Sequence, residues 1–267
     1  MIIKELVDKY LSSGHSYRNA QNLAAEEIII KKIATSPFSS HVTLKGGIVM
    51  FNLTKSIRRV TQDIDFDLIR YSIDDQSIEL FIKKLDAIDD GISCSIVGQI
   101  EQLHQEDYHG VRVNLLLKDQ NNAKLNIKLD IGVHTYSAIK QDNAIFAFSN
   151  SEDSVTINVN PCEQIISEKL LSLARLGPIS TRYKDIYDIY YLITKNLVNI
   201  NKTKEILSLF ISSSKRKPND IGELTNSIID TLNNKSFAND AKKSTSLWID
   251  VDYDIVKEVI TNFLIKI

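Results

Sequence analysis

Leu44 to Asp67 reads LKGGIVMFNLTKSIRRVTQDIDFD, and the order of its features sets the expectation for the whole chain. Val42–Lys45 is a short strand candidate entering Gly46-Gly47, Ile48–Leu53 begins a helix, and Thr54–Arg59 is a basic loop. Thr61–Leu68 is a strand in which Asp63, Asp65 and Asp67 alternate with Ile64, Phe66 and Leu68. A strand has a side-chain period of two, so the three carboxylates share one face and the apolar residues the other. Aligned carboxylates repel one another unless a cation sits between them. Glycines at a helix start let backbone N–H groups approach phosphate, where the helix adds partial positive charge. A strand, a short helix and a return strand would bring the glycines and the acids together. Magnesium takes one or two carboxylates plus substrate phosphate oxygens, and two close metals could hold a triphosphate for in-line attack. The stretch therefore predicts a divalent-metal and phosphate site. A solvated polar strand face would give the same alternation, and Asp67 adds nothing to the count.

The chain has 267 residues, enough to bury a substantial core in one large domain or two small ones. Its net charge is −2, so any contact with nucleic acid needs a local basic patch. Cys94 and Cys162 have neither metal-ligand nor redox spacing and read as reduced thiols. The N-terminal MIIKELVDKYLSSG is amphipathic and carries acids, unlike a signal peptide, and no apolar run approaches a membrane span. A soluble, cytoplasmic protein without membrane contact is expected.

Taken in order, residues 2–11 and 17–34 read as helices, the second capped by Ser16 and striped by Ala20, Leu23, Ala24, Ile30 and Ile33, with Glu27 interrupting the stripe. Residues 74–85 are helical and 92–99 alternate like a strand. Val111–Lys118 and Lys124–Val133 form a hairpin across a polar turn, with Asp130 on the polar face of its second strand. Val155–Val159 is the last strand expected. Beyond it the pattern turns helical at 163–176, 181–195, 202–212, 220–232 and 252–267, which places a domain boundary near residue 160. The expected domains are 1–160, a core with N-terminal helices, and 161–267, a helical domain.

Within the opening stretch, Lys55, Arg58 and Arg59 could neutralise triphosphate charge, or simply balance the nearby aspartates. Asp130 could be a third metal ligand or a base toward an attacking hydroxyl, provided its strand lies beside that of Asp63. The helical region carries Lys169 in SEKLLSLARL, then Arg182, Lys184, Asp185 and Asp188 in TRYKDIYDIYYL. Asp185 and Asp188 share a helix face, and a wet Lys184–Asp188 pair would also fit their spacing. Tyr183, Ile186, Tyr190 and Ile193 are expected in the core. His15, His41, His104, His109 and His134 share no metal-ligand spacing. No P-loop, nucleophile elbow or His-Glu-x-x-His motif occurs, which excludes P-loop ATPases, serine hydrolases and zincin proteases.

The succession LKGG, RRVTQDIDFD, EKLLSLARL and TRYKDIYDIYYL resembles the AbiEii/AbiGii toxin family of nucleotidyltransferases, found in type IV toxin–antitoxin and abortive-infection phage-defence systems. The matching positions are Lys45, Gly46 and Gly47; Arg59, Thr61, Asp63 and Asp65; Lys169 and Leu170; and Arg182, Lys184, Asp185 and Asp188. The resemblance spans about residues 17–195; the region after 200 matches nothing. It implies an α+β fold like the nucleotidyltransferase domain of DNA polymerase β, a mixed sheet with helices, plus a C-terminal helical domain. It implies transfer of a nucleoside monophosphate from an NTP, with loss of pyrophosphate, to an RNA acceptor, the tRNA 3′ end, so that translation is blocked.

In that frame Asp63, Asp65 and Asp130 would hold Mg²⁺ or Mn²⁺, and Lys169 and Asp185 would join them in catalysis. Lys45, Gly46, Gly47, Arg59, Thr61, Arg182, Lys184 and Asp188 would bind nucleotide. A neighbouring antitoxin is implied, with or without direct contact. Lys215-Arg216-Lys217 and Lys242-Lys243 are candidate RNA-binding patches. A small-molecule nucleotidyltransferase of the antibiotic-modifying kind would share Gly-Gly and Asp-x-Asp but does not explain the Arg182–Asp188 motif. A non-catalytic interaction protein would not need the full set of acids.

Overall fold

The acidic strand becomes the middle of a mixed sheet. In the computed structural model, which describes residues 1–105, 108–148, 154–244 and 247–267, β2 (Asp63–Leu68) lies between two neighbours. It runs antiparallel to β1 (Val42–Lys45) and parallel to β6 (Lys124–Val133). The other strands are β3 (Ile92–Ile96), β4 (Glu101–Gln105), β5 (Tyr108–Asp119), β7 (Asp142–Ala147) and β8 (Ser154–Val159). The order is β3-β5-β6-β2-β1-β8-β7, with β4 beside β3 along the free edge of β5. Parallel β1–β8 and β2–β6 pairs among antiparallel ones, together with many helices, make the expected α+β architecture.

The chain divides into two units, Met1–Asn160 and Pro161–Ile267. In the first, Ile64, Phe66 and Leu68 are fully buried beside Leu129, Ile131 and Val113 from the neighbouring strands. The helices of this unit are α1 (Ile3–Ser12), α2 (Tyr17–Thr35), α3 (Gly46–Thr54) and α4 (Asp75–Asp86). Phe81 of α4 meets Phe66 at 5.8 Å between ring centroids. Lys32 of α2 is wholly buried, yet its ammonium donates to Leu85 O and Ile88 O and pairs with Asp90 at 2.8 Å. A buried charge is tolerated when it is paired and its donors are used.

The second unit is helical: α5 (Cys162–Leu176), α6 (Tyr183–Thr194), α7 (Ile200–Ser213), α8 (Ile221–Asn233), α9 (Lys235–Lys243) and α10 (Tyr253–Leu264). Helix α5 packs against α6, α7 and α8. Asn199, Asp220, Asn234 and Asp252 each cap a following helix with a side-chain oxygen, the arrangement their residue types favour. Among the described residues no helix is long and apolar enough to cross a membrane.

Three elements were not expected from the sequence. Strand β4 is a polar segment, and β7 is an edge strand in which only Phe146 is buried while Ile145 is exposed. Helix α9 buries only Phe237 and Ala241. Two burial patterns also differ. Glu27 does not break the buried face of α2, because both Glu26 and Glu27 lie within it. Helix α6 buries Ile186, Tyr187, Ile189 and Leu192, whereas Tyr183, Tyr190 and Ile193 are only half-buried.

Asp119 ties the N-terminus to the β5–β6 turn. Its Oδ1 accepts from the amides of Asn121 and Ala123, both at 2.9 Å, and its Oδ2 from Ile3 N at 3.0 Å. Removing a buried acceptor strands its donors, at a cost of about 1–3 kcal/mol per bond. Asp119→Ala is expected to destabilise the protein by about 2–4 kcal/mol, read as a lower urea midpoint with an unchanged m-value.

Candidate active site

The chain leaves β1 at Lys45 and turns directly into α3, and Gly46 makes the turn with φ +64°. A Cβ on Gly46 would stand 2.8 Å from Asp65 Oδ2, and one on Gly47 would stand 2.7 Å from Thr61 Oγ1 and 2.8 Å from Thr61 Cβ. The helix start is thus pressed against the acidic strand with no room for a side chain at either position. Thr61 is held in place by a 3.2 Å bond from its hydroxyl to Asp63 O.

Register fixes which acids are neighbours. Asp65 lies opposite Lys45 on one side and Asp130 on the other, and Asp63 lies opposite Lys128. Lys45 Nζ reaches along the strand to Asp67 Oδ1 at 2.6 Å, which makes Asp67 a buried anchor for the lysine. Asp63 Oδ1 is buried without a hydrogen-bond donor. Lys128 Nζ is 3.2 Å from that oxygen but lacks hydrogen-bond direction, so charge is partly compensated while the lone pair stays unused.

Asp130 is held otherwise. Arg112 of β5, its register partner, grips it through two parallel bonds of 2.7 Å, Nε to Oδ1 and Nη2 to Oδ2. That bond is the main reason the Arg112 guanidinium is held above its usual pKa. Among the described residues no group of three His, Cys, Asp or Glu side chains is arranged to hold a metal. Asp130 could join Asp63 and Asp65 only after Arg112 releases an oxygen. Asp63 and Asp65 themselves suit a cation that takes one or two carboxylates and completes its shell with phosphate oxygens. The observation favouring this is the donorless oxygen on Asp63.

Arg59 is 4 % exposed, whereas Arg58 is exposed. Lys55 turns away from the acids and donates to Asn52 Oδ1 at 2.6 Å and Ala147 O at 3.4 Å. The side chains of His104 and His109 lie outside the described residues.

In the second unit, the Lys169 ammonium of α5 bonds to Asp185 and lies 2.9 Å from Asp188 Oδ2, both on α6. Asp188 is wholly buried, and its Oδ1 accepts from Trp248 Nε1 at 3.0 Å. Arg182 is mostly exposed, with Nη1 3.9 Å from Asp185 Oδ2, and Lys184 is half-buried.

Sequence reading missed Arg112 and Lys128 as partners of the acids. The signal was their alternation with apolar residues on the hairpin strands, and it becomes specific only once the hairpin register is known. Trp248, the only tryptophan in the chain, gave no motif at all.

Breaking a buried ion pair by deleting one partner typically costs about 3–5 kcal/mol, because it leaves the other charge uncompensated. Asp188→Ala is expected to lower stability by that amount in denaturant unfolding. Trp248→Phe, which removes one hydrogen bond to a charged group, should cost about 1.5–3 kcal/mol.

Comparison with known proteins adds three findings. Residues 28–252 match the family model described as nucleotidyl transferase AbiEii toxin, type IV TA system. No curated protein matches. Among solved structures, an antigenic nucleotidyltransferase-like protein from Paracoccidioides brasiliensis is similar over 70 % of this chain and 83 % of its own, at 16 % identity and a TM-score of 0.38. The family model covers most of the chain and includes the glycine turn, the acidic strand and the Lys169–Asp188 cluster. The protein belongs to the AbiEii nucleotidyl transferase toxin family of type IV toxin–antitoxin systems.

Proposed function

We propose that the protein transfers a nucleoside monophosphate from an NTP to the 3′ end of tRNA and blocks translation in this way. The observation that carries the reading is the seat formed by Gly46, Gly47, Asp63 and Asp65, where the helix start meets two carboxylates with no side chain between them. A helix N-terminus without side-chain obstruction is suited to phosphate, and adjacent carboxylates are suited to a cation bridging to that phosphate. A divalent cation held by Asp63 and Asp65, Mg²⁺ or Mn²⁺, would supply charge neutralisation to the triphosphate.

In the reaction, the acceptor hydroxyl oxygen bonds to the α-phosphorus, the bond from that phosphorus to the bridging oxygen breaks, and pyrophosphate leaves. The hydroxyl proton passes to a carboxylate or to water. The protein's part is positioning and electrostatics, as in other phosphoryl transfers. The amides at Gly46 and Gly47 orient the phosphates, and Thr61 braces the strand that presents the acids. Asp130 is the third carboxylate of this reading, released for the purpose by Arg112. We assign Lys45, Arg59, Lys169, Arg182, Lys184, Asp185 and Asp188 to nucleotide binding and its support. Within that group Asp185 and Asp188 fix Lys169, and Asp67 fixes Lys45. An antitoxin partner and an NTP substrate follow from the family.

The test is incubation of purified protein with labelled NTPs, Mg²⁺ and total tRNA. Label should appear in tRNA and be lost in Asp63→Ala. Gly46→Ala, which sets a methyl group against Asp65 Oδ2 in a left-handed backbone conformation, should lower the rate by about a hundredfold through misplacement. Labelling that survives Asp63→Ala overturns the assignment.

RNA binding should depend on a local basic patch. The loop Lys215-Arg216-Lys217 presents three exposed cations in a row, with Lys217 3.3 Å from Glu223 Oε1, and is the larger of the two basic clusters. Reversing those three residues to Glu should weaken tRNA binding and flatten its salt dependence, since each lost phosphate contact lowers the slope by about one. An unchanged slope clears the loop of that role.

A further inference from the structure

The Lys169 ammonium in the second unit has two carboxylate partners, and they are not alike. Asp188 is wholly buried, with Oδ2 2.9 Å from Lys169 Nζ. The side chain of Asp185 is 18 % exposed, and Arg182 Nη1 stands 3.9 Å from its Oδ2. Lys169 itself keeps 10 % of its side chain exposed. A phosphate arriving at Lys169 brings negative charge up to both carboxylates, so one of them has to give way. Parting Lys169 from Asp188 would leave a buried charge without its cation, which is strongly unfavourable. Asp185 is nearer water and has Arg182 within reach. Asp185 is therefore the releasable partner, and Asp188 the fixed one.

Trp248 holds Asp188 in that role. Its indole N–H donates to Asp188 Oδ1 at 3.0 Å. The residue is 5 % exposed, and its ring lies against Tyr191, nearly one turn further along α6, with centroids 5.4 Å apart and planes at 59°. An indole N–H donates and cannot accept, so it serves the carboxylate without bonding to the ammonium beside it. It is also neutral, so it does not compete with Lys169 for the charge of Asp188, as an arginine or lysine at that position would. In a site from which water is excluded the bond is stronger than it would be in solvent. Rotation of the Asp188 carboxylate would break it, and Oδ2 therefore stays directed at Lys169. Residue 248 lies far beyond the motif that carries Asp185 and Asp188, and no motif marks it.

We infer that Trp248 is a positioning residue for phosphate binding: by holding Asp188 it fixes the Lys169 ammonium, so that a phosphate oxygen displaces Asp185 and not Asp188. Arg182 then takes up the released Asp185 carboxylate. The ligand class is a polyphosphate chain such as an NTP carries. The inference rests on Lys169 binding nucleotide phosphate, and it extends that role to a residue of the segment between α9 and α10.

The probe is inorganic triphosphate with Mg²⁺, titrated calorimetrically into the full chain. Trp248→Phe keeps a ring against Tyr191 and removes the donor. It should weaken binding about tenfold or more, the scale of one hydrogen bond to a charged group. Lys169→Ala should weaken it at least as much, and adding Trp248→Phe to Lys169→Ala should weaken it no further, because the two act on one contact. A merely structural tryptophan would lower affinity by the same factor in both backgrounds. Trp248 is also the only tryptophan of the chain. Its emission, excited beyond the tyrosine band, should shift as triphosphate saturates the wild-type protein, and decides the matter if Trp248→Phe does not fold. Unchanged emission at saturation, unchanged affinity in Trp248→Phe, or an equal loss in both backgrounds overturns the inference while the role of Lys169 stands. Failure of the wild-type chain to bind, or full binding by Lys169→Ala, overturns that role and the inference with it.

Discussion

The constraint on which the first unit depends is the absence of space at Gly46 and Gly47. Helix α3 begins so close to β2 that a methyl group on Gly46 would collide with the Asp65 carboxylate and one on Gly47 with Thr61. This closeness settles several things together. It sets the angle at which the chain leaves β1, places the amide-rich helix start over the acidic face, and keeps the short α3 connection compatible with antiparallel β1–β2 pairing. A larger residue would have to push the helix away from the strand, and the acids would then face solvent without a helix start beside them.

How far the sequence could be read follows from which interactions are local. Strict alternation at residues 63–68 encodes the face of each aspartate, and the structure places Ile64, Phe66 and Leu68 in the core as that alternation requires. Side-chain caps such as Ser16 and Asp74 mark helix starts within a few residues of sequence. Register across the sheet is not local. That Asp65 lies beside Asp130, and that Arg112 takes both oxygens of Asp130, depends on the turn after Asp119 and on β2 inserting between β1 and β6. Edge strands escaped for a related reason. A strand with one buried residue, such as β7, has no alternation to detect, because its pairing comes from backbone groups that every sequence carries.

The helical unit shows the same division. The spacing of Asp185 and Asp188 puts both on one face of α6, as helical geometry demands. Their role is set by partners remote in sequence, Lys169 on α5 and Trp248 beyond α9. Trp248 brings the last part of the chain, which carries no motif, into the same buried network as the motif residues. Asp188 thus receives a cation on one oxygen and a neutral donor on the other, so neither lone pair is wasted in a site from which water is excluded. The burial of α6 also shifts to Ile186, Tyr187, Ile189 and Leu192, because α5 and α10 both press on it and helical spacing alone does not say from which side.

These networks give the measure by which Glu26 stands out. Lys32 has a carboxylate and two carbonyl oxygens, Asp119 has three amides, Asp188 has an ammonium and an indole, and Glu27 has a phenol and a lysine. Each is a buried charge whose cost the fold offsets with internal partners. Glu26, one residue before Glu27 and more completely enclosed than most surface acids ever are, has none for either oxygen. Burial, and after it the charge of Asp63, hold the Glu26 carboxyl well above its ordinary pKa. The neutral, protonated form is therefore the one this site keeps, and the fold needs no internal cation to offset it.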